Sequence, residues 1–491
     1  MCSVMMKTCM DILSTLLVVL FRLAAILVLA CLTYFPAFKG VWAGYVPIAA
    51  AAVLVWLISV RGTRDNPLPA VLSGMRETRF TVLLLALPAV IQVGLILLFR
   101  SESSFDGFFV MRDADQFVRT GVMPPLTYYA PAQVWYYAVF FRLFGTHDWV
   151  AQLCQVPLAC GIVWAGYRLA GRFMPGPHAR TAALGMALYP TFLTYVLVTP
   201  YYYYLYTLMI MLMVLAWVAV AQGAGGKGAA FAGGLCAGFG ALTKATFLVA
   251  PVQTLCLWIL SAGRLFGKRI WIAWTLFVVA MVLVIFPWTV RNIRVFGEPV
   301  LINTSGGLVL YSANNPESDG LYSPIPDQVE IDSPREMLAY SRWCTEQAVA
   351  FIREHPGHFA YLAGMKMLHT WGTETTYTEL VNRRGRRIPW LDQGLRMVSQ
   401  TGWAMLVFMW AGVSIRALRR REPPDLLELA VAILVLSKFI IYSVYEGGMR
   451  HHLPVVPLLI MWVVMKGGRN DHGEEKELTT EEDRGTEKTR K

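Results

Sequence analysis

Residues 105–145 read FDGFFVMRDADQFVRTGVMPPLTYYAPAQVWYYAVFFRLFG and lie between two long apolar runs, 79–99 and 149–170. The first half of this stretch contains three acidic residues, which are Asp106, Asp113 and Asp115. Carboxylates beside a bilayer are energetically costly, so an acidic cluster there indicates function. The stretch therefore predicts a loop that joins two membrane spans and carries chemistry.

The composition of the chain is that of a membrane protein. Its 491 residues are 56% hydrophobic and 15% charged, with a mean hydropathy of +0.49, whereas soluble domains carry about 25% charged residues. The apolar residues form runs close to the ~20 residues that cross hydrocarbon. We therefore predict an all-α polytopic membrane protein with about twelve transmembrane helices, at 10–35, 41–60, 79–99, 149–170, 181–198, 203–221, 229–243, 246–262, 270–289, 401–417, 427–445 and 452–466.

The net charge of +11 does not indicate a nucleic-acid partner, because the Lys and Arg residues lie in short loops between apolar runs. Such loops stay on the cytoplasmic side and contact membrane lipids. An even number of spans places both termini on that side. Two long loops, 100–148 and 291–400, then face outward, and the first of them is the candidate catalytic loop.

This pattern predicts five segments. They are two N-terminal helices with a cytoplasmic linker (1–78), a transmembrane core with the outer loop 100–148 (79–290), a small, mostly helical outer-face subdomain (291–400), C-terminal transmembrane helices (401–466) and a disordered, charged cytoplasmic tail (467–491). Within the subdomain, Ser333 and Glu336 form a capping box, which predicts a helix that ends near Glu354. Gly234 and Gly238 make a small-xxx-small step, which we expect to pack closely on the next span, 246–262.

Two of the acids in the outer loop are candidate catalytic residues. If this segment is helical, Asp113 and Asp115 point to different faces, because they are two residues apart. Asp115 stands four residues before Arg119, so a salt bridge can occupy it, whereas Asp113 has only its neighbour Arg112. This favours Asp113 as the free carboxylate. Solvated loop residues without a catalytic role remain the alternative reading of both acids.

Basic residues at outward ends of spans are candidates for binding an anionic substrate. Arg291 and Arg294 follow a span directly, and arginine is suited to bidentate phosphate binding. Contacts with lipid headgroups or backbone carbonyls are the alternative. Lys244 lies between two short apolar runs and is either a snorkelling lysine or a phosphate contact. The tyrosine run 201–204 is typical of an aromatic belt at a membrane interface.

The outward turn before the last span reads EGGMRHHLP from Glu446 to Pro454. It combines one acid, one arginine and the adjacent histidines His451 and His452. An anion site that includes Arg450, with Glu446 as a second binding residue, fits this turn better than a metal site, because adjacent histidines do not readily share one ion. No cofactor is predicted with certainty, and a divalent metal stays open as an alternative.

Four passages resemble one family of enzymes. The first has an Asp, an aromatic residue, a Gly turn, two prolines and a run ending Leu-Phe-Gly, at Asp113, Phe117, Gly121, Pro124, Pro125 and 142–145. The second is a Gly-rich span that ends Leu-Thr-Lys-Ala-Thr, at 233–246. The third joins Pro-Trp-x-x-Arg-Asn, Thr-x-Gly-Gly and Asn-Asn-Pro, the last of which contains Asn315, at 287–292, 304–307 and 314–316. The fourth is Arg450, Pro454 and Pro457.

Taken together, these passages resemble the polytopic GT-C glycosyltransferases over about residues 79–466. Within that group they are similar to bacterial relatives of the dolichyl-phosphate-mannose–protein mannosyltransferases, which include the aminoarabinose transferases acting on lipid A. Many relatives have Asp-Glu where this chain has Asp113-Ala114-Asp115, so the resemblance leaves open which acid acts. The two N-terminal helices lie outside the resemblance.

The resemblance implies an inverting glycosyltransferase in the bacterial inner membrane, with its active site facing the periplasm. The donor would be a polyprenyl-phosphate-linked sugar, and the acceptor a lipid, a glycan or a protein. The outer-loop Asp would take the proton from the acceptor, while Lys244, Arg291 and Arg450 would hold the carrier phosphate. Arg294, Asn315 and Glu446 complete the predicted substrate-binding residues.

Two alternatives belong to other classes. A multi-pass lipid or solute transporter would use the same acids and arginines for binding, but it would place ionisable groups near the middle of the membrane. Another outer-face lipid-linked enzyme, such as an O-antigen ligase or polymerase, shares the expected location of the site.

Overall fold

The computed structural model describes most of the chain. The described residues are 2–39, 44–61, 71–101, 105–125, 128–197, 201–262, 267–323, 325, 331, 333–374, 380–382 and 388–468. Nearly all of the predicted tail, 467–491, lies outside them. The predicted linker, 61–78, is described only in part.

The described chain is predominantly helical. Its helices are α1 Cys2–Phe38, α2 Tyr45–Arg61, α3 Glu77–Leu98, α4 Phe105–Thr120, α5 Pro131–Phe144, α6 Asp148–Leu153, α7 Gln155–Ala170, α8 Gly176–Ala187, α9 Pro190–Thr194, α10 Tyr203–Ala221, α11 Gly226–Thr243, α12 Ala250–Ala262, α13 Lys268–Phe296, α14 Ser305–Ser312, α15 Pro334–Glu354, α16 Pro356–Trp371, α17 Pro389–Arg419, α18 Leu426–Val444 and α19 Leu453–Gly468. Single 3-10 turns cover Tyr195–Leu197 and Ala245–Val249. Two short strands, β1 Phe99–Ser101 and β2 Leu380–Asn382, pair antiparallel with Phe99 opposite Asn382.

The prediction of an all-α polytopic membrane protein is confirmed. Among the described residues, eight helical segments are long and apolar enough to cross a membrane: Met5–Pro36, Glu77–Leu98, Asp148–Ala170, Tyr203–Ala221, Ala245–Ala262, Lys268–Phe296, Pro389–Arg419 and Leu426–Val444. Tyr45–Val55 and Leu453–Gly468 are shorter apolar helices. The predicted span 229–243 lies in the Gly-rich helix α11. The predicted span 181–198 is divided between α8 and α9, because Pro190 has no amide hydrogen to continue the first helix.

The glycines of α11 allow close packing, but against a different neighbour from the predicted one. A Cβ atom added at Gly238 would lie 2.6 Å from Val284 Cβ and 3.0 Å from the Met281 carbonyl oxygen. Both neighbours belong to α13. The expectation that these glycines pack on 246–262 was therefore wrong, because α11 lies along the following span instead.

The first helices are joined to the last ones by a buried ion cluster. Arg22 in α1 donates to Glu428 in α18 at 2.8 Å, and Lys466 in α19 lies 3.2 Å from the same carboxylate. Asp425 lies 3.0 Å from Lys466. Helix α1 also packs on α17. The N-terminal helices are therefore packed into the same helical array, although they lie outside the family resemblance.

The two long loops that contain the candidate site residues gather at the ends of α18 and α19 that lie opposite this ion cluster. Ser333 accepts a hydrogen bond from the Glu336 amide at 3.3 Å, which confirms Ser333 as the N-cap of α15, and this helix ends at Glu354, as predicted. Gly447, between α18 and α19, donates to the Gly320 carbonyl at 2.8 Å. Asn303 donates to the Tyr128 carbonyl at 3.0 Å. These contacts bring 105–145 and 291–374 together around the turn before α19.

Candidate functional site

The loop stretch that contains the three acids folds as the helix α4. Val110 and Ala114 are buried against Tyr137 and Phe141 of α5, which fixes the orientation of α4. Asp106 and Asp113 are seven residues apart, close to two helical turns, so they share one face. Asp115 lies on the opposite side. The acids therefore belong to two different environments.

Asp106 is the acid that meets the C-terminal part of the chain. Arg450 donates from Nη2 to Asp106 Oδ2 at 3.3 Å, and Tyr129 donates its hydroxyl to Oδ1 at 3.0 Å. The guanidinium of Arg450 also lies over the rings of Tyr201 and Tyr203, at 5.3 and 5.9 Å from their centroids. These contacts hold the half-exposed carboxylate of Asp106 beside the guanidinium of Arg450, which the two tyrosine rings orient.

The tyrosines 201–204 line this site and its surroundings. The Tyr202 hydroxyl donates to the Tyr203 hydroxyl at 2.8 Å and accepts a hydrogen bond from Lys244 Nζ. Lys244 Nζ also lies 4.4 Å from the centroid of the Tyr202 ring. Tyr202, Tyr203 and Tyr204 are buried inside the protein. The expectation of an aromatic belt was wrong, because these rings pack among helices rather than at a lipid interface.

Glu446 is held by His451 in the same turn as Arg450. Its Oε1 lies 3.4 Å from His451 Nε2. Burial lowers the pKa of His451 to about 3, so this imidazole is neutral. Burial alone would raise the pKa of Glu446, but the hydrogen bond from His451 and the charges of Lys244 and Arg450 lower it overall. Glu446 is therefore an anion hydrogen-bonded to a neutral histidine.

Lys244 has a lowered pKa at this site. Burial lowers the pKa of its ammonium to about 8, while the nearby Glu446 and Asp106 favour the charged form and Arg450 opposes it. Two cations and two carboxylates thus converge from α4, from the end of α11 and from the turn before α19. An ammonium and a guanidinium at one boundary can stabilise the negative charge of a phosphate.

The two acids predicted to be catalytic have other partners. Asp113 is 7% exposed and its Oδ1 accepts from Arg112 at 3.0 Å. Burial raises the pKa of Asp113 more than Arg112 lowers it. Asp115 is paired with Arg119 at 2.8 Å, as predicted. A 2.6 Å hydrogen bond from Thr146 is the main cause of the lowered pKa of Asp115.

The remaining predicted binding residues lie in structural contacts or at the surface. Arg291 donates to the Pro124 carbonyl and, at 3.3 Å, to that of Met123, which is the carbonyl alternative considered above. Arg294 is exposed on the last turn of α13. Asn315 donates to the Tyr311 carbonyl at 2.9 Å and accepts from the Glu317 amide at 2.9 Å. These hydrogen bonds make Asn315 a stabiliser of its own turn.

Comparisons with solved structures show a known fold. The oligosaccharyltransferase AglB of Archaeoglobus fulgidus, solved with an inhibitory peptide and a dolichol-phosphate, superposes with a TM-score of 0.50 at 12% identity over 82% of this chain and 52% of that chain. ArnT from Cupriavidus metallidurans, bound to undecaprenyl phosphate, gives a TM-score of 0.46 at 15% identity over 80% and 60%. The chain has the GT-C fold. It spans between half and two thirds of the length of these two chains.

No protein-family model and no curated protein matches the sequence. The low identities to the GT-C structures mean that they identify the fold alone. Among the described residues, no group of three His, Cys, Asp or Glu side chains is arranged to hold a metal ion.

Sequence reasoning missed Asp106 as a site residue. Its contact with Arg450 could not be read from spacing. The signal that was available is the seven-residue step between Asp106 and Asp113, which places both acids on one face of a helix.

Sequence reasoning also missed a buried network centred on Glu374. His452 Nε2 lies 2.8 Å from Glu374 Oε2, and the Tyr189 hydroxyl donates to the same carboxylate at 2.8 Å. His452 Nδ1 faces the Thr370 carbonyl at 2.6 Å. Because His452 follows Arg450 closely, this network fixes the turn that carries the arginine.

Proposed function

We propose that the protein is an inverting glycosyltransferase, which moves a sugar from a polyprenyl-phosphate carrier to a lipid, glycan or protein acceptor. The observation that carries the proposal is the convergence of Asp106, Arg450 and Lys244. A carboxylate for proton transfer and two cations for a phosphate are the groups that this reaction needs. The GT-C fold and the dolichol-phosphate bound to AglB support a lipid-phosphate donor.

The reaction would be a single displacement. An acceptor hydroxyl oxygen forms a bond to the anomeric carbon, and its proton passes to the carboxylate base. The bond between the anomeric carbon and the phosphate oxygen breaks, and its electron pair stays on the carrier phosphate. The phosphate gains negative charge in this step, so Arg450 and Lys244 stabilise the transition state more than the ground state.

We assign the base to Asp106 in preference to Asp113. Asp106 is half-exposed and lies against Arg450, whereas Asp113 is buried and held by Arg112. When the carrier phosphate accepts hydrogen bonds from Arg450, Asp106 loses a competing donor and becomes a better base. Asp113, on the same face of α4, is the alternative base. Asp115 serves to hold α4 through Thr146 and Arg119.

The proposed topology places the site on the periplasmic side of a bacterial inner membrane. Arg419 is the last residue of α17, and Arg420 and Arg421 follow it, at the end of the array opposite the site turn. The positive-inside rule assigns that end, with both termini, to the cytoplasm. The five predicted segments form the proposed domain organisation, with 291–400 covering the site from outside.

Purified protein with radiolabelled polyprenyl-phosphate sugars and candidate acceptors tests the proposal. We expect Asp106→Asn to lower transfer by about 100-fold or more, since general-base catalysis contributes about 10²–10⁴. Asp115→Asn should retain activity. Loss with Asp113→Asn and not with Asp106→Asn would reassign the base. Absence of sugar transfer and of sugar release with every donor would overturn the enzyme proposal.

A further inference from the structure

A small cavity lies between α10, α18 and the 3-10 turn that precedes α12. Its volume is about 20 Å³, and its polar lining includes Lys438, Tyr206, Thr246 and Tyr442. A cavity of about 10–15 Å³ is enough to hold one water molecule. The space beside Lys438 therefore has room for one or two particles of that size, and it is too small for a lipid headgroup.

Lys438 brings a buried ammonium group to this cavity. It belongs to the apolar span Leu426–Val444 and is 4% exposed. Its Nζ lies 5.2 Å from the centroid of the Tyr206 ring and 5.5 Å from that of the Tyr442 ring. The faces of such rings attract a cation, but they carry no net charge. The two tyrosines therefore stabilise the ammonium without neutralising it.

Lys438 has no counter-charge in the part of the chain that the structure describes. It makes no hydrogen bond or ion pair there, and the charged group that acts on it is a second cation, Lys244. The two ammonium groups lie at the same distance, 5.5 Å, from the centroid of the Tyr442 ring. A charge inside a membrane protein is costly unless an opposite charge compensates it. A negative ion in the cavity would supply that compensation.

The cavity also offers neutral hydrogen-bond donors. The hydroxyl oxygens of Tyr206 and Thr246 lie 3.1 Å apart, and either hydroxyl can be the donor. Because a hydroxyl that accepts a hydrogen bond keeps its own hydrogen, this pair can also donate to an ion in the cavity. An ammonium and a hydroxyl around a space of this size suit a small anion.

We propose that the cavity binds one halide ion, such as chloride, and that Lys438 is its counter-ion. The charge favours a monovalent ion, because Lys438 is the charged residue of the lining. The size favours a monatomic ion, because an oxyanion such as phosphate carries four oxygen atoms around its central atom. The bound halide would also offset the repulsion between Lys438 and Lys244. This inference does not depend on the proposed function.

Thermal unfolding of the purified full-length protein in uncharged detergent tests the proposal. Sodium chloride replaces sodium gluconate at constant ionic strength, and gluconate is too large for the cavity. We expect the melting temperature of the wild type to rise with chloride and to level off at saturation, because a ligand that binds the folded state stabilises it. A wild-type melting temperature that does not respond to chloride would overturn the proposal.

Two variants connect this effect to the cavity. Lys438→Met removes an uncompensated buried charge, so it should fold and be at least as stable as the wild type in gluconate. We expect it to bind chloride about tenfold or more weakly, as for a lost hydrogen bond to a charged group. Lys227→Met, at an exposed lysine of α11, should respond to chloride as the wild type does. An unchanged response of Lys438→Met would show a general salt effect and contradict the site.

Competing ions test the size of the ligand. Bromide should replace chloride, whereas sulfate and inorganic phosphate should neither compete with it nor raise the melting temperature through Lys438. Competition by phosphate that disappears in Lys438→Met would overturn the assignment to a halide.

Bromide also locates the site in the wild-type protein, without any variant. Crystals grown in sodium bromide should show an anomalous scattering peak within hydrogen-bond distance of Lys438 Nζ. Anomalous peaks confined to the protein surface would mean adventitious ions only and would overturn the inference. Sugar transfer is not measured in any of these experiments, so the failure of this inference and the failure of the proposed function are distinguishable.

Discussion

Arg450 donates a hydrogen bond of 3.3 Å to Asp106, across 344 positions of sequence. This contact joins α4 to the turn before α19 and sets a carboxylate beside a cation at one boundary of the helical array. Arg450 is oriented by two aromatic faces, Tyr201 and Tyr203. The geometry therefore depends on a planar guanidinium and not on positive charge alone.

The first prediction concerns the chemistry of residue 450. We expect Arg450→Lys to lower kcat/KM for the lipid-linked donor by about tenfold, because the charge remains but the stacked, planar guanidinium is lost. Arg450→Met should lower it by about 100-fold or more, as for a lost transition-state contact. Steady-state sugar transfer measures both. Arg353→Met, at an exposed position of α15, is the control. Equal activity of the Lys variant and the wild type would show that stacking of the guanidinium on the tyrosine rings is not needed for activity.

The second prediction concerns pH. Burial lowers the pKa of Lys244 to about 8, so its charge is present below that pH and is lost above it. We expect kcat/KM for the donor to fall as the pH rises through about 8. Lys244→Arg keeps its charge, so its profile should stay flat in this range. An alkaline fall at the same pH in both proteins would show that another group titrates.

Measurements of stability distinguish a fall in activity caused by loss of the Lys244 charge from a fall caused by unfolding. The pKa of Lys244 is lower in the folded protein than its ordinary value of 10.5. Between pH 8 and that value the unfolded chain binds more protons at this residue, so the contribution of Lys244 to stability rises with pH. Deprotonation of Lys244 should therefore not lower the melting temperature of the wild type in the pH range in which its activity falls.

The sequence carries the information for local structure and for the membrane class. Apolar run lengths predict the helices, the capping box at Ser333 predicts the start of α15, and the four-residue spacing predicts the Asp115–Arg119 pair. Each of these depends on neighbours in the chain. The long-range contacts of the site do not depend on neighbours in the chain, so the sequence pattern does not predict them. Asp106 could not be matched to Arg450 by spacing, and the internal hydrogen bonds of Asn315 are visible only once the turn is folded.

The third prediction concerns the buried pair Glu374 and His452. Glu374 accepts hydrogen bonds from Tyr189 and Thr191, and both nitrogens of His452 face oxygen acceptors, one of them on Glu374. Removing one member of a buried pair costs about 3–5 kcal/mol. We expect Glu374→Gln to lower the melting temperature strongly in detergent. Glu298→Gln breaks an exposed pair with Arg342 and should change it little. A Glu374→Gln protein as stable as Glu298→Gln would rule out an ion pair at His452.

The fourth prediction uses two glycines of the same helix, α11. A Cβ atom at Gly238 would meet Val284 Cβ at 2.6 Å, whereas a Cβ atom at Gly228 would have nothing within 4 Å. Gly238→Ala should therefore destabilise the protein by about 1–3 kcal/mol, because α11 and α13 must separate. Gly228→Ala should be neutral or stabilising by about 0.5–1 kcal/mol, because alanine loses less conformational entropy in a helix. Thermal unfolding of the two variants measures the difference. If both behaved alike, helix propensity and not the close approach to α13 would explain the glycines.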